Sequence, residues 1–343
     1  MRRSVLFFLL GLIAFLAICL NMVWTLLTLL FVTGANDAIS RAELPGPNST
    51  VPSDRESLIP KILHQTYKNE SIPYAWREAQ QSCLDLHPDY KYMLWTDKSS
   101  RQFIQDEYPW FLETFDRYTY PIQRADAIRY FVLAHYGGVY LDLDDGCQRR
   151  LDPLLAYPAW VRRTIPTGIS NDAMGSRPQH PFFLRVIDEL PKYDRRWFMP
   201  YITVMGSTGP LFLSVIWRHY NGGVTGKKMA ELDRVRVLFP DEYKGHSWSF
   251  FKVVVGNSWH RGDVKVIMWV CTGHIPFVIF VANSMTDIRT DGSSLDVLDC
   301  AWLFPRWYRH ILRLVAVWPT NTHIRTEKSV VQTQVYALQE FHK

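Results

Sequence analysis

The sequence predicts an α/β fold: a central sheet fed by strands and helices in alternation. Three observations lead there. Apolar strand-like runs at 59–66, 90–95 and 139–143 alternate with stretches of helical period. Residues 124–146 read as a helix, a Gly137-Gly138 break, and a short strand running into Asp142 and Asp144. The long apolar stretches, 5–33, 264–283 and 301–318, all lie outside this alternating region.

Residues 1–33 read as a cytosolic tip and a transmembrane anchor. Val5–Thr33 carries no charge and is long enough to span a bilayer with some tilt. Arg2 and Arg3 precede it and hold the N-terminus on the cytosolic side. A cleaved signal peptide is the competing reading, but the run exceeds a signal core and no small-x-small site closes it. Residues 34–57, with Gly34, Pro45, Gly46, Pro47 and Pro52, read as an exposed stem linker. Asn48-Ser49-Thr50 and Asn69-Glu70-Ser71 are glycosylation sequons, which weakly support a lumenal domain.

The globular domain is assigned to 58–263. A first strand ends in His64-Gln65-Thr66, a helix covers 74–86, and a second strand covers 90–95. Helical patterns follow at 98–107 and 110–115, and after the Gly-Gly unit at 180–190 and 209–219. Leu238-Phe239-Pro240 reads as a strand end, and 245–261 as a polar, aromatic loop. Residues 264–283 are a candidate second transmembrane helix, weakened by Lys265, His274 and Pro276. The tail, 284–343, contains an interfacial amphipathic stretch with Arg306, Arg309 and Arg313.

The 343 residues suffice for one large domain or two small ones. Net charge is only +5 and no Lys/Arg block interleaves with aromatics, which argues against a nucleic-acid partner. The five cysteines show no C-x-x-C spacing, so a zinc ribbon is not expected. Cys83 and Cys147 are able to pair in an oxidising lumen, and the sequence leaves that open.

The chemistry concentrates at the end of the 139–143 strand. Alternate strand positions share a face, so Tyr140, Asp142 and Asp144 are expected to point the same way. Two carboxylates with open positions between them suit Mg²⁺ or Mn²⁺, completed by water and a substrate diphosphate. A solvated acidic turn, shaped in part by Asp145, is the ordinary alternative. Asp126 and Arg129 are three apart on a helix and share a face; as a surface ion pair they would contribute little.

Several ordered motifs then carry a resemblance. They are Ile59–Thr66, Leu94-Trp95-Thr96-Asp97, Arg124-Ala125-Asp126 through Asp142-Leu143-Asp144, Asn171–Met174, His180–Phe183, Ser207–Leu211 and Gly256–His260. Together they resemble glycosyltransferase family 32, the sugar-binding region with a DXD motif, and most closely its fungal inositol phosphoceramide mannosyltransferases. Tyr67 stands where many relatives have Trp, and 162–170 and 221–236 match nothing assignable.

The resemblance implies a GT-A-type nucleotide-diphospho-sugar transferase fold and retaining, metal-dependent transfer of mannose from GDP-mannose to inositol phosphoceramide. It implies Asp142, Asp144, Asp126 and Arg129 as catalytic residues, and His64, Gln65, Asp126, Arg129, Tyr140 and Trp259 as donor contacts. It implies Asp142, Asp144 and His260 as ligands of Mn²⁺, or of Mg²⁺ or Ca²⁺. A Golgi membrane location with a lumenal domain and a regulatory membrane subunit follow from the same likeness. The alternative is an α-1,6-mannosyltransferase of glycoprotein N-glycans, which as a family lacks the C-terminal hydrophobic extension. A non-enzymatic membrane scaffold is a third reading, and the retained Asp pair argues against it.

Overall fold

The computed structural model describes residues 11–13, 28–29, 34–46, 55–164, 167–197, 199–221, 229–240, 246 and 248–253. Its core is a six-stranded mixed sheet in the order β2-β1-β3-β6-β5-β7. The strands are β1 (Ile62–Thr66), β2 (Lys91–Trp95), β3 (Gly138–Leu141), β5 (Ala159–Arg163), β6 (Ile169–Ser176) and β7 (Arg236–Leu238). A second, two-stranded sheet joins β4 (Asp145–Cys147) to β8 (Phe251–Val253). β1 runs parallel to β2 and β3, whereas β6 is antiparallel to both its neighbours.

The expected helices are present, the first with the ends expected and the others shifted: α1 (Tyr74–Leu86), α2 (Asp97–Glu107), α3 (Leu112–Arg117), α4 (Pro121–Tyr136), α5 (Pro181–Tyr193) and α7 (Pro210–Asn221). α6 (Pro200–Ser207), β5 and β6 were not expected. The strands sort their side chains by alternation. Tyr140, Val161, Met174 and Val237 face one core, with Phe131 of α4, Phe182 of α5 and Phe212 of α7. Val139, Trp160, Ala173 and Leu238 face the other, with Cys83 of α1, Leu154 and Phe250.

α4 sets the position of the site. Pro121 occupies its first turn, where a missing N–H does no harm, and the Tyr120 N–H is taken by the Gln123 side chain. Its interior is almost wholly buried, Asp126 and Arg129 included. It stops at Gly137, with φ at +66°, and Gly138, at +96°, as the sequence predicted. A Cβ on Gly138 would lie 2.7 Å from the Ile62 carbonyl oxygen, so glycine is also what lets β3 begin against β1.

Cys83 of α1 and Cys147 of β4 form a disulfide, closing the question that the sequence left open. The link closes a 64-residue separation and ties the strand beginning at Asp145 to a helix. Replacing both by serine is expected to lower stability by about 2–5 kcal/mol. A thermal midpoint unchanged in the double variant would contradict this.

The stretch 34–46, which read as stem, lies on the domain. The Ile39 N–H donates to the Val237 carbonyl at 2.9 Å, and Ala38 bridges Val237 in parallel. Asp37 pairs with Arg234 at 2.8 Å and Glu43 with Arg236 at 2.9 Å, while Ile39 and Leu44 enter the second core. The Thr167 hydroxyl donates to the Leu29 carbonyl. No helix among the described residues is long and apolar enough to cross a membrane. Most of 5–33, and all of 264–283 and 301–318, lie outside the described residues.

Candidate active site

The acidic tip is built by a turn. β3 ends at Leu141, and the Asp142 N–H donates to the Asp172 carbonyl at 2.8 Å. The Asp145 N–H then donates back to the Asp142 carbonyl at 3.1 Å, closing the turn 142–145. This corrects the strand assignment of 139–143. Alternation brings Tyr140 and Asp142 to one face, but the half-buried Asp144 is presented by the turn. The Tyr140 hydroxyl donates to Asp142 Oδ1 at 2.7 Å and accepts from the Thr66 hydroxyl at 2.8 Å.

Behind Asp142 stands Arg129 of α4. Its Nη1 lies 3.1 Å from Asp142 and 3.0 Å from the Asn171 carbonyl oxygen, and its Nη2 lies 3.3 Å from Asp126 Oδ1. Asp126 also accepts from the Asn171 amide at 3.0 Å and the Thr208 hydroxyl at 3.1 Å. The Asp126–Arg129 pair is therefore an interior network rather than a surface ion pair. Burial pushes the Asp142 carboxyl up to about 7, against the pull of Arg129. Burial likewise raises Asp144, which is in no ion pair among the described residues, and Asp126. Such carboxylates gain from a nearby cation.

β6 brings two further residues to this place through an irregularity. Val161 pairs with Met174 but Arg162 pairs with Ser170, so Asn171, Asp172 and Ala173 oppose nothing on β5. This bulge re-aims Asn171 toward Asp126 and Tyr130, and Asp172 toward the turn. Arg162 ion-pairs with Asp145 at 2.7 Å and with Asp172 at 3.4 Å. Burial, joined by the Asp172 and Asp142 charges, raises the Asp145 carboxyl, and Arg162 opposes that rise.

His64 is fully buried, and both its ring nitrogens are committed within the fold. Nδ1 accepts from the Trp95 indole N–H at 3.0 Å, so Nε2 carries the proton and donates to the Gly137 carbonyl at 2.9 Å. Burial lowers its pKa to about 4, which keeps it neutral. It clips β2 and the end of α4 to β1 and presents no free nitrogen to a ligand. Gln65 is also buried; its Oε1 accepts from the Tyr92 hydroxyl at 3.1 Å, and its Nε2 has no partner among the described residues. Trp259 and His260 lie outside the described residues, as does the rest of the 256–260 motif.

The fold brings Asp126, Arg129, Tyr140 and Asp142 into one bonded network and sets Asp144 on the adjoining turn. Asn171 and Asp172 belong with them, and so does Thr208. Their sequence signal was the two short motifs around them, without the bulge that gives them direction.

The family described as "glycosyltransferase sugar-binding region containing DXD motif" matches residues 73–160, which span the turn and α4. The mannosyl phosphorylinositol ceramide synthase SUR1 of Saccharomyces cerevisiae is 57% identical over 242 residues, covering 71% of this chain and 61% of that protein. The inositol phosphoceramide mannosyltransferase 2 of Schizosaccharomyces pombe is 50% identical over 248 residues, covering 71% of each chain. Among solved structures, the PaToxG glycosyltransferase aligns at 16% identity and a TM-score of 0.38, over 49% of this chain and 72% of that one. The extent and identity of the match to the yeast proteins show that the chain belongs to the DXD-motif glycosyltransferase family, alongside the fungal inositol phosphoceramide mannosyltransferases.

Proposed function

We propose that this protein transfers mannose from GDP-mannose to inositol phosphoceramide, with retention at the sugar and dependence on a divalent cation. The observation that carries the reading is the interior network Tyr140–Asp142–Arg129–Asp126, set at a strand tip in a chain so like the inositol phosphoceramide mannosyltransferases. The mixed sheet, with the acidic turn just past the carboxyl end of β3, supports a GT-A-type assignment.

The donor set suits a cation. Asp142 and Asp144 are hard oxygen ligands, and buried oxygens of Asp145 and Asp172 lack hydrogen-bond partners among the described residues. Among the described residues no group of three or more His, Cys, Asp or Glu is placed to hold a metal ion by itself. Substrate phosphates and His260 are the proposed complement. A cation held there supplies Lewis-acid stabilisation of the departing diphosphate. The chain's own part is to hold the pieces still. Tyr140 and Arg129 orient the Asp142 carboxylate, and Asp126, held by Asn171 and Thr208, fixes Arg129. The acceptor hydroxyl attacks from the face that the phosphate leaves, and that phosphate takes its proton.

The hydrophobic runs at 5–33 and 264–283 are read as membrane segments that keep the domain at the lumenal leaflet of the Golgi, where a lipid acceptor is presented. A regulatory membrane subunit is part of the same proposal. The test uses purified protein with labelled GDP-mannose and either inositol phosphoceramide or a high-mannose N-glycan. Mannosylated lipid is the expected product. Transfer to the glycan alone would replace this reading with the α-1,6-mannosyltransferase one.

A further inference from the structure

We propose that Arg162 is a positioning residue that sets the distance between the two halves of the site. Its guanidinium bridges Asp145, directly behind the acidic turn, and Asp172, on the β6 bulge that faces it. Arg162 sits on β5, in a stretch to which no motif assigned a role. It and Asp145 are 3% and 1% exposed, so the pair lies inside the protein, where a fixed geometry can be held. The Phe251 ring lies 5.6 Å from the guanidinium carbon and closes its other side.

The need for such a bridge follows from charge. Asp142, Asp144, Asp145 and Asp172 converge on one turn and one bulge. Arg129 answers Asp142, and Arg162 answers Asp145 and Asp172. Without Arg162 the turn and the bulge repel each other at Asp145 and Asp172, and what still joins them is the Asp142 N–H bond to the Asp172 carbonyl and Arg129, which reaches Asp142 and the Asn171 carbonyl. Asp145 Oδ1 and Asp172 Oδ1 are buried without a hydrogen-bond partner among the described residues. Each carboxylate is therefore oriented chiefly through its other oxygen, which faces Arg162. A planar two-pronged fork can serve two carboxylates at once, which a single ammonium cannot.

This inference rests on the cation-dependent reading above, and the test separates the two. Mn²⁺ binding to the purified full-length protein, with GDP present, is followed by the electron paramagnetic resonance of free Mn²⁺. Arg162→Lys keeps the charge and removes the fork. Mn²⁺ affinity is expected to fall roughly tenfold or more, the range seen when a ligand's outer partner is lost. The thermal midpoint should stay near the wild-type value. If Arg162→Lys does not fold, Arg162→Gln, which keeps a donor without the fork and leaves every carboxylate in place, should show the same loss. Affinity within about twofold of wild type in the folded variant would overturn the proposal, the tenfold loss being its expectation. A wild-type protein that binds no Mn²⁺ would overturn this inference and the cation reading together.

Discussion

Asp142→Asn is expected to slow mannosyl transfer by roughly a hundred- to a thousandfold while the domain stays folded. Asparagine keeps the shape and can still accept from the Tyr140 hydroxyl, whose 2.7 Å bond orients the side chain. What it loses is the negative charge and one partner of Arg129. Its amide turns a donor toward Arg129 Nη1, which retains the Asn171 carbonyl, while Nη2 retains Asp126. The loss in stability should therefore be small beside the loss in rate. Asp144→Asn separates the two effects more cleanly, because Asp144 sits half-buried on the turn with no ion pair among the described residues. Initial rates at saturating donor and cation, measured beside thermal midpoints, check both. Either variant retaining more than half of wild-type activity would remove its carboxylate from the mechanism.

Arg129→Met should act the other way round, on the fold first. Methionine fills the volume but leaves Asp126 and Asp142 without their guanidinium. It also removes the side-chain donor to the Asn171 carbonyl. Breaking a buried pair in this way costs about 3–5 kcal/mol, because a charge stays behind with nothing to answer it. For a domain of this size that lowers the melting temperature by roughly 10 °C. Adding Asp126→Asn should recover part of the stability and none of the activity, since Asp142 still lacks its orienting cation. A shift below about 2 °C in the single variant would show that the network carries little of the stability.

The contrast between these two positions shows what the sequence could and could not reveal. The Gly137-Gly138 break was legible because only glycine tolerates those positive φ values so close to β1. Tyr140 and Asp142 were legible through strand alternation. Asp144 was placed by the wrong geometry, because the turn is closed by the Asp145 N–H and by a carbonyl from β6. β6 itself was hidden: Asn171, Asp172 and Gly175 are weak strand formers taken alone. Gly175 is there for tertiary reasons, since a Cβ would come within 2.1 Å of the Trp160 indole nitrogen. His64 read as a donor contact from its place at the strand end, and the partners that occupy both its nitrogens, Trp95 and Gly137, are 31 and 73 residues away. The Pro- and Gly-rich composition of 34–57 suggested an exposed stem, and the docking of 34–46 is decided by arginines on and beside β7.

That docking has a consequence for how the protein is made. Asp37 is held by Arg234, 197 residues later in the chain. As the polypeptide emerges in order, the first segment beyond the N-terminal apolar run has no seat until β7 has been synthesised. Contacts of such long sequence separation form slowly. A nascent chain halted before Arg234 would therefore carry an uncovered sheet edge and an unseated leading segment, both open to chaperones and to degradation.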